Sequence, residues 1–285
     1  RPRAGALMRL ARTSPMAAAA GVLLLVIILV ALFAPVVAPY DPLEGDYSAI
    51  RQGPSTAHWM GTDDIGRDVL SRIIYGARIS LIVGFGAVLL GDTFGLVSGI
   101  VSGYVGGKTD LISQRLLEIL LAFPGLILAT IFVVALGTGL QTVIIAIAVT
   151  RIPACNRVVR AVALSIKNMD FIEAARVSGA SPWRIMVRHV APQTIAPFLV
   201  VASLHLGIAI TIEAGLSFLG IGIPPPDPSW GTMIGGAIST QFNPPWWLAV
   251  FPGLAITITV FAVNLTGDAL RDFLDPNLRG RVEMK

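Results

Sequence analysis

The chain has 285 residues, of which 54% are hydrophobic and only 13% are charged, and its mean hydropathy is +0.77. Soluble globular proteins carry about 25% charged residues, so this composition excludes a soluble domain and predicts an integral membrane protein. The net charge of +4 does not indicate nucleic-acid binding, because the basic residues are dispersed and no aromatic-basic platform accompanies them. The single cysteine, Cys155, excludes a disulfide framework.

The first predicted element is a membrane-spanning helix over residues 16–38. A basic tail over residues 1–15 precedes it and resembles the start of a signal peptide, but the apolar run is too long for the hydrophobic part of such a peptide. About 20 apolar residues cross the hydrocarbon core of a bilayer, so we expect a retained helix. Residues 39–77 then turn polar, and we predict an extracytoplasmic segment without a span there.

Five further spans are predicted within residues 78–267, over about 79–103, 116–136, 140–160, 197–219 and 247–266. The first of these five carries four glycines at strict four-residue spacing, Gly91, Gly95, Gly99 and Gly103. Such stripes let membrane helices pack backbone to backbone, so we expect this helix inside the bundle. The apolar run that starts near residue 140 is short, because Arg151-Ile152-Pro153 interrupts it, and we expect this helix to continue past the membrane face and lead into the following cytoplasmic segment.

Residues 168–192, which we call the elbow, have the local signals of a helix followed by a sharp break. We predict that Asp170 caps the first helix and that Glu173, three residues on, completes a capping box. Gly179 lies where a residue in the left-handed conformation would end this helix, since glycine has no Cβ to oppose a positive φ.

The second half of the elbow predicts another short helix. Ser181 is its expected N-cap, and Pro182 occupies the first helical position, where a missing N–H costs nothing. Pro192 is expected to stop it. The prediction is therefore a helix–turn–helix and not a continuous rod; an ordinary amphipathic loop between two spans is the alternative.

The distribution of basic residues predicts the orientation in the membrane. With the amino terminus inside, the inner segments hold 17 of the 21 Lys and Arg residues, and the outer side holds Arg51, Arg67, Arg72 and Arg78. The positive-inside rule then places both termini, the tail over residues 268–285 and the elbow in the cytoplasm. A Pro-rich loop over residues 220–246 falls on the extracytoplasmic side.

The elbow resembles the EAA loop in the permease subunits of bacterial ABC importers, through Glu173-Ala174-Ala175 and Gly179. The later run Arg188-His189 with Pro192 is similar to the dipeptide and oligopeptide branch. Further similar motifs occur in the same order as in that branch: Gly61-Thr62-Asp63, Gly66-Arg67-Asp68, Ser71-Arg72, Ala122-Phe123-Pro124, Ser217-Phe218-Leu219-Gly220 and Pro228-Ser229-Trp230-Gly231. Together these motifs span roughly residues 59–275, and they resemble the C-type permease of such importers.

The resemblance implies an all-α, type I ABC importer permease fold with six transmembrane helices in the bacterial cytoplasmic membrane. It implies four kinds of partner: a homologous B-type permease, cytoplasmic ATP-binding subunits, an extracytoplasmic substrate-binding protein and membrane lipid. ATP and Mg would be bound by the ATP-binding subunits, with no cofactor in this chain. The residues implied to couple transport to the ATPase are Glu173, Ala174, Ala175, Gly179, Ser181, Pro182, Arg184, Ile185 and His189.

No catalytic machinery and no metal site is predicted. Gly107-Lys108-Thr109 lacks the earlier glycine and the preceding strand of a phosphate-binding loop. The three histidines lie in different segments, without cysteine or carboxylate at ligand spacing. If ATP drives this protein, we expect another subunit to hydrolyse it.

Three ionisable residues fall inside predicted spans, namely Asp92, His205 and Glu213. Such groups are costly at membrane depth and should face the bundle interior or water. Each could line the translocation path or make a structural hydrogen bond to a neighbouring helix, and both interpretations stay open for Glu213. For Asp92 and His205 the structural interpretation is favoured.

Two alternatives to a peptide importer remain. The same importer architecture could carry nickel or haem, because a separate binding protein largely sets specificity. A protein of a different class, a self-sufficient ion-coupled secondary transporter, could use Asp92 and Glu213 as an ion relay. That class predicts internal inverted repeats, which the sequence does not display.

Overall fold

The computed structural model describes residues 15–239 and 244–274, and within those ranges every regular element is helical. In chain order the helices are α1 Pro15–Leu32, α2 Ala34–Val37, α3 Val69–Val105, α4 Gly107–Leu121, α5 Gly125–Leu136, α6 Leu140–Ile166, α7 Asp170–Val177, α8 Pro182–Ile185, α9 Ala191–Phe218, α10 Trp230–Ser239 and α11 Trp247–Leu274. A 3₁₀ turn, Tyr47–Ala49, lies in the outer segment, and a π-helical turn, Met186–Val190, joins α8 to α9.

Five of these helical runs are long and apolar enough to cross a membrane: α1, α3, α6, α11 and the run from α8 through α9. The bent pair α4–α5 meets the same criterion when its two helices are taken together, as a broken span or a re-entrant loop, which gives five or six crossings. Helix α1 is apolar around its whole circumference, as expected for a helix in lipid. It rests on α3 and α11 through Ala31, Leu24 and Ile28.

Helices α3 and α6 form the closest pair in the bundle, and the glycine stripe of α3 makes their contact. All four stripe glycines are buried and face α6. A Cβ at Gly95 would lie 2.7 Å from the Cβ of Cys155, and a Cβ at Gly103 would lie 2.8 Å from the Cβ of Ala163. Real carbon atoms do not approach so closely, so the helices could not keep this distance with a larger residue.

The outer segment before α3 is folded against the helix that follows it. Helix α3 begins at Val69, about ten residues before the predicted start of the span, because the Asp68 carboxylate accepts a hydrogen bond from Ser71 N at 2.8 Å and caps it. The Arg67 Nε donates to Asp63 at 2.7 Å, and the buried Arg72 donates to the Pro42 carbonyl at 3.0 Å. These contacts fix the segment on the N-terminal end of α3.

The span predicted over residues 116–136 is not one helix. Helix α4 ends at Leu121, α5 begins at Gly125, and the two axes differ by 90°. Pro124 explains the break, since a proline disfavours helical backbone in the residue before it and supplies no N–H.

Two prolines lie inside helical runs. Helix α6 continues through Pro153 to Ile166, so it contains the span predicted over residues 140–160 and extends beyond it toward the elbow, as expected. Pro192 occupies the first turn of α9, where an N–H has no intrahelical partner to lose. The prediction that Pro192 stops the second elbow helix is therefore wrong.

Candidate functional site

The first arm of the elbow is α7, whose start differs from the prediction. Met169 is the N-cap residue and gives no side-chain hydrogen bond, while Asp170 is already the first helical residue. The capping box of Asp170 and Glu173 is thus absent. Both carboxylates still lie in the first turn, where the positive end of the helix dipole favours them.

The break between the two arms is a Schellman motif centred on Gly179. The Gly179 N–H donates to the Arg176 carbonyl at 2.9 Å, and the Ala180 N–H donates to the Ala175 carbonyl at 3.0 Å. Gly179 has φ +80°, and no atom lies within 4 Å of the place where its Cβ would be. The requirement for glycine here comes from backbone conformation and not from crowding.

The second arm begins as predicted, but it does not end at Pro192. The Ser181 Oγ accepts a hydrogen bond from Arg184 N at 3.4 Å, and Pro182 opens α8. The chain then passes through the π turn into α9, giving one helical run from Pro182 to Phe218. The second arm is therefore the end of a membrane-spanning helix.

The elbow is anchored on one side and uncovered on the other. Ile172 and Ile185 are fully buried in a cluster with residues of α3 and α6. Two large apolar side chains face outward, since Val177 is 84% exposed and Trp183 is 68% exposed. Exposed apolar surface is typical of sites that contact another protein or the membrane.

The residues that the family resemblance implies for coupling to an ATPase also differ in their exposure. Six are exposed: Glu173, Ala174, Gly179, Ser181, Pro182 and Arg184. Ala175 and His189 are half-buried. Ile185 is buried, so it holds the elbow to the bundle and is not available to a partner.

The three ionisable residues predicted to lie inside spans, Asp92, His205 and Glu213, form two separate groups. The His205 Nδ1 lies 2.7 Å from Asp92 Oδ1, and this buried pair joins α9 to α3. Glu213 is fully buried two turns further along α9, about 12 Å from His205 at roughly 1.5 Å per residue. Among the described residues, no group of three or more histidine, cysteine, aspartate or glutamate residues could hold a metal ion.

Glu213 has the contacts of a structural group. Its Oε2 accepts a hydrogen bond from Ser80 of α3 at 2.8 Å, and its Oε1 accepts one from Ser217 at 2.8 Å. A buried carboxylate with two hydroxyl donors has its hydrogen-bonding needs met within the chain. This arrangement corresponds to the structural interpretation of Glu213.

Comparison with known proteins agrees with this architecture. Residues 95–280 match the family described as binding-protein-dependent transport system inner membrane component. The chain belongs to this family. Residues 6–54 match the N-terminal TM domain of oligopeptide transport permease C. The chain is thus a permease subunit of an ABC importer, a multi-pass protein of the bacterial inner membrane, and the resemblance to C-type permeases is confirmed.

Relatives of known identity match over nearly the whole chain. The glutathione transport system permease protein GsiD of Pectobacterium atrosepticum is 44% identical over 264 residues, covering 92% of this chain and 87% of that protein. GsiD of Escherichia coli is 44% identical over 270 residues, covering 94% and 89%. This permease is therefore similar to them over most of its length.

Solved structures support the fold. A structure of the MetNI methionine ABC transporter in an inward-facing conformation matches with a TM-score of 0.59 at 20% identity, covering 72% of this chain and 97% of that chain. A second crystal form of MetNI matches with a TM-score of 0.54. The predicted type I ABC importer permease fold is confirmed.

Proposed function

We propose that this permease imports small peptides, with glutathione-like thiol peptides in the cargo range, and that an ATPase drives it through the elbow. The observation that carries the proposal is 44% identity to glutathione permeases over 92% of the chain. The sequence motifs of the peptide branch agree with it. The homologous B-type permease would supply the other half of the pathway, and a binding protein would deliver the cargo.

The elbow geometry supports a cytoplasmic coupling role. Its exposed face, with Val177 and Trp183, is of a kind that a groove of an ATP-binding subunit would cover. Because the second arm continues into α9, closure of two ATP-binding subunits would displace a membrane-spanning helix directly. This displacement would turn the cavity between the two permeases from one side of the membrane to the other.

The alternatives have less support. An ion relay through Asp92 and Glu213 requires both groups to reach one path, but Asp92 is paired with His205 and Glu213 with two serines. Nickel and haem remain alternative cargoes, because a separate binding protein would largely select the cargo. Neither has a supporting residue cluster in the described part of this chain.

Reconstitution tests the cargo and the class together. The permease is placed in proteoliposomes with its partner permease and ATP-binding subunits, and the loaded binding protein is added outside. We expect uptake of labelled glutathione and dipeptides only with ATP inside. Uptake by this chain alone under an ion gradient would contradict the proposal, and so would ATP-driven uptake of nickel or haem without peptide uptake.

A substitution at the break tests the coupling. Gly179→Val forces a β-branched residue into a left-handed conformation, at a cost of about 1–2 kcal/mol or more, and should abolish ATP-driven uptake while the complex still assembles. Gly253→Val is the control, because that helical glycine also has open space around it but no positive φ. Gly179→Asn, which tolerates this conformation, should retain transport. Normal uptake by Gly179→Val would show that this hinge is not needed.

A further inference from the structure

Arg151 occupies a position where a charge is costly. It lies 11 residues beyond Leu140, the start of α6, which corresponds to a depth of about 17 Å at roughly 1.5 Å per residue. A hydrocarbon core is about 30 Å thick, so the guanidinium is near its middle. Charged side chains at this depth face the bundle interior or a water-filled cavity and usually have a partner.

The guanidinium has no ion-pair partner in the described part of the chain. Its Nε donates to the Thr150 Oγ1 at 3.0 Å, and no carboxylate oxygen there lies within 4 Å of its nitrogens. Asp92 is the carboxylate that acts on it electrostatically from further away, and Asp92 is already bonded to His205. Toward the residues that the structure describes, Nη1 and Nη2 therefore remain available as donors.

Arg151 lies beside the break between α4 and α5. The Nη2 atom lies 3.0 Å from the point where a Cβ of Gly125, the first residue of α5, would be. Gly125 is 12 residues before the outer turn at Gly137, about 18 Å, so both features have the same depth. Residues 121–124 at the break are exposed on this chain, and Arg151 is half-buried.

The break between α4 and α5 and the guanidinium of Arg151 require the same kind of surroundings. Non-helical backbone at membrane depth is stable only where protein covers it or where it lines a water-filled cavity, because lipid cannot satisfy its polar groups. This chain does not cover the break. An importer has such a cavity along its pathway, and an unpaired guanidinium there would meet the cargo.

We propose that Arg151 binds a carboxylate of the cargo as the cargo crosses the membrane. The planar guanidinium can give two parallel N–H···O bonds to one carboxylate, and peptides, including glutathione, carry that group. Arg151 is then a specificity-determining residue of the pathway, selecting carboxylate-bearing peptides. The inference rests on the proposed function, since it assigns the part of that cargo which this residue recognises.

The test compares two cargoes and two variants in the reconstituted importer. Uptake of a labelled dipeptide with a free carboxylate, and of the same dipeptide as a C-terminal amide, is measured for wild type and for Arg151→Gln. For each cargo, kcat/KM of the variant is divided by kcat/KM of wild type. The preference of the binding protein for one cargo cancels in this ratio. We expect kcat/KM for the acid to fall about 10- to 100-fold, the range of a charge-assisted hydrogen bond, and that for the amide to change less than about twofold. Arg157→Gln, an exposed arginine on the same helix, is the control.

The outcomes separate this inference from the proposed function. Equal losses for acid and amide would show that Arg151 serves only as a counter-charge to Asp92, and no loss for either would show that it meets no cargo; both overturn the inference. Arg151→Lys covers the case in which the glutamine variant fails to assemble, since it keeps the charge and should still lower the acid-to-amide ratio. Failure of wild type to import either peptide overturns the proposed cargo, and this inference with it.

Discussion

Substitution of a stripe glycine tests whether the α3–α6 contact depends on a missing Cβ. In Gly95→Ala the new carbon would lie 2.7 Å from the Cβ of Cys155 and 3.0 Å from the Ile152 carbonyl oxygen. Optimal carbon–carbon contacts are about 3.5–4.0 Å, so the two helices must separate by roughly 1 Å. Overpacking of this kind typically costs about 1–3 kcal/mol.

The matched control is Gly253→Ala in α11, where no atom lies within 4 Å of the new Cβ. Both changes gain the same helix propensity, about 0.8–1 kcal/mol, so the gain cancels when the two variants are compared. We therefore expect Gly95→Ala to have a free energy of unfolding about 1–3 kcal/mol below that of Gly253→Ala. Unfolding in detergent by SDS titration, followed by circular dichroism, measures the difference. Equal midpoints would refute the close-contact explanation of the stripe.

Two further predictions concern the buried polar groups, with the same unfolding assay. Asp92→Leu should destabilise the protein by about 1–3 kcal/mol, because it leaves the buried His205 Nδ1 without its hydrogen-bond partner, and His205→Leu by about 3–5 kcal/mol, because it leaves the buried Asp92 carboxylate without one. The double variant should lose less than the sum, and strict additivity would mean that the pair is not coupled. Glu213→Leu should lower the free energy of unfolding by about 1–3 kcal/mol, because it leaves the hydroxyls of Ser80 and Ser217 without their acceptor. Ser80→Ala should lower it less, because Ser217 still donates to the carboxylate. An unchanged Glu213→Leu protein would contradict the structural role of that carboxylate.

The features that the sequence predicts correctly are those set by local chemistry. A run of about 20 apolar residues is sufficient to identify α1 or α11 as a membrane helix, because a helix of that length and composition matches the hydrocarbon core of a bilayer. Gly179 is identifiable because the left-handed conformation at the end of a helix depends on one residue. The N-cap at Ser181 is predictable for the same reason.

The features that the sequence does not settle depend on packing. Pro192 looks like a stop, but a proline in the first turn of a helix loses no hydrogen bond. Pro153 lies inside α6, where neighbouring helices can accommodate it. The break at Pro124 and the continuation through Pro153 carry the same local signal, and only tertiary contacts distinguish them. Arg151 lies inside the predicted span over residues 140–160, and α6, which runs from Leu140 to Ile166, contains all of that span.

The connections between helices suggest where the protein bends. The elbow is continuous with α9, and α9 is bonded to α3 at two levels, by His205 to Asp92 and by Glu213 to Ser80. Helix α3 is in turn held to α6 by backbone contact along the glycine stripe. These three helices should move as one body when the elbow is displaced. Helix α4 is also bonded to α6, by Asp110 to Arg160 and by Gln114 to Asn156, whereas α5 packs on α6 through an apolar cluster. Relative motion should therefore concentrate in α5, on the far side of the break beside Arg151, where a bound carboxylate would experience it.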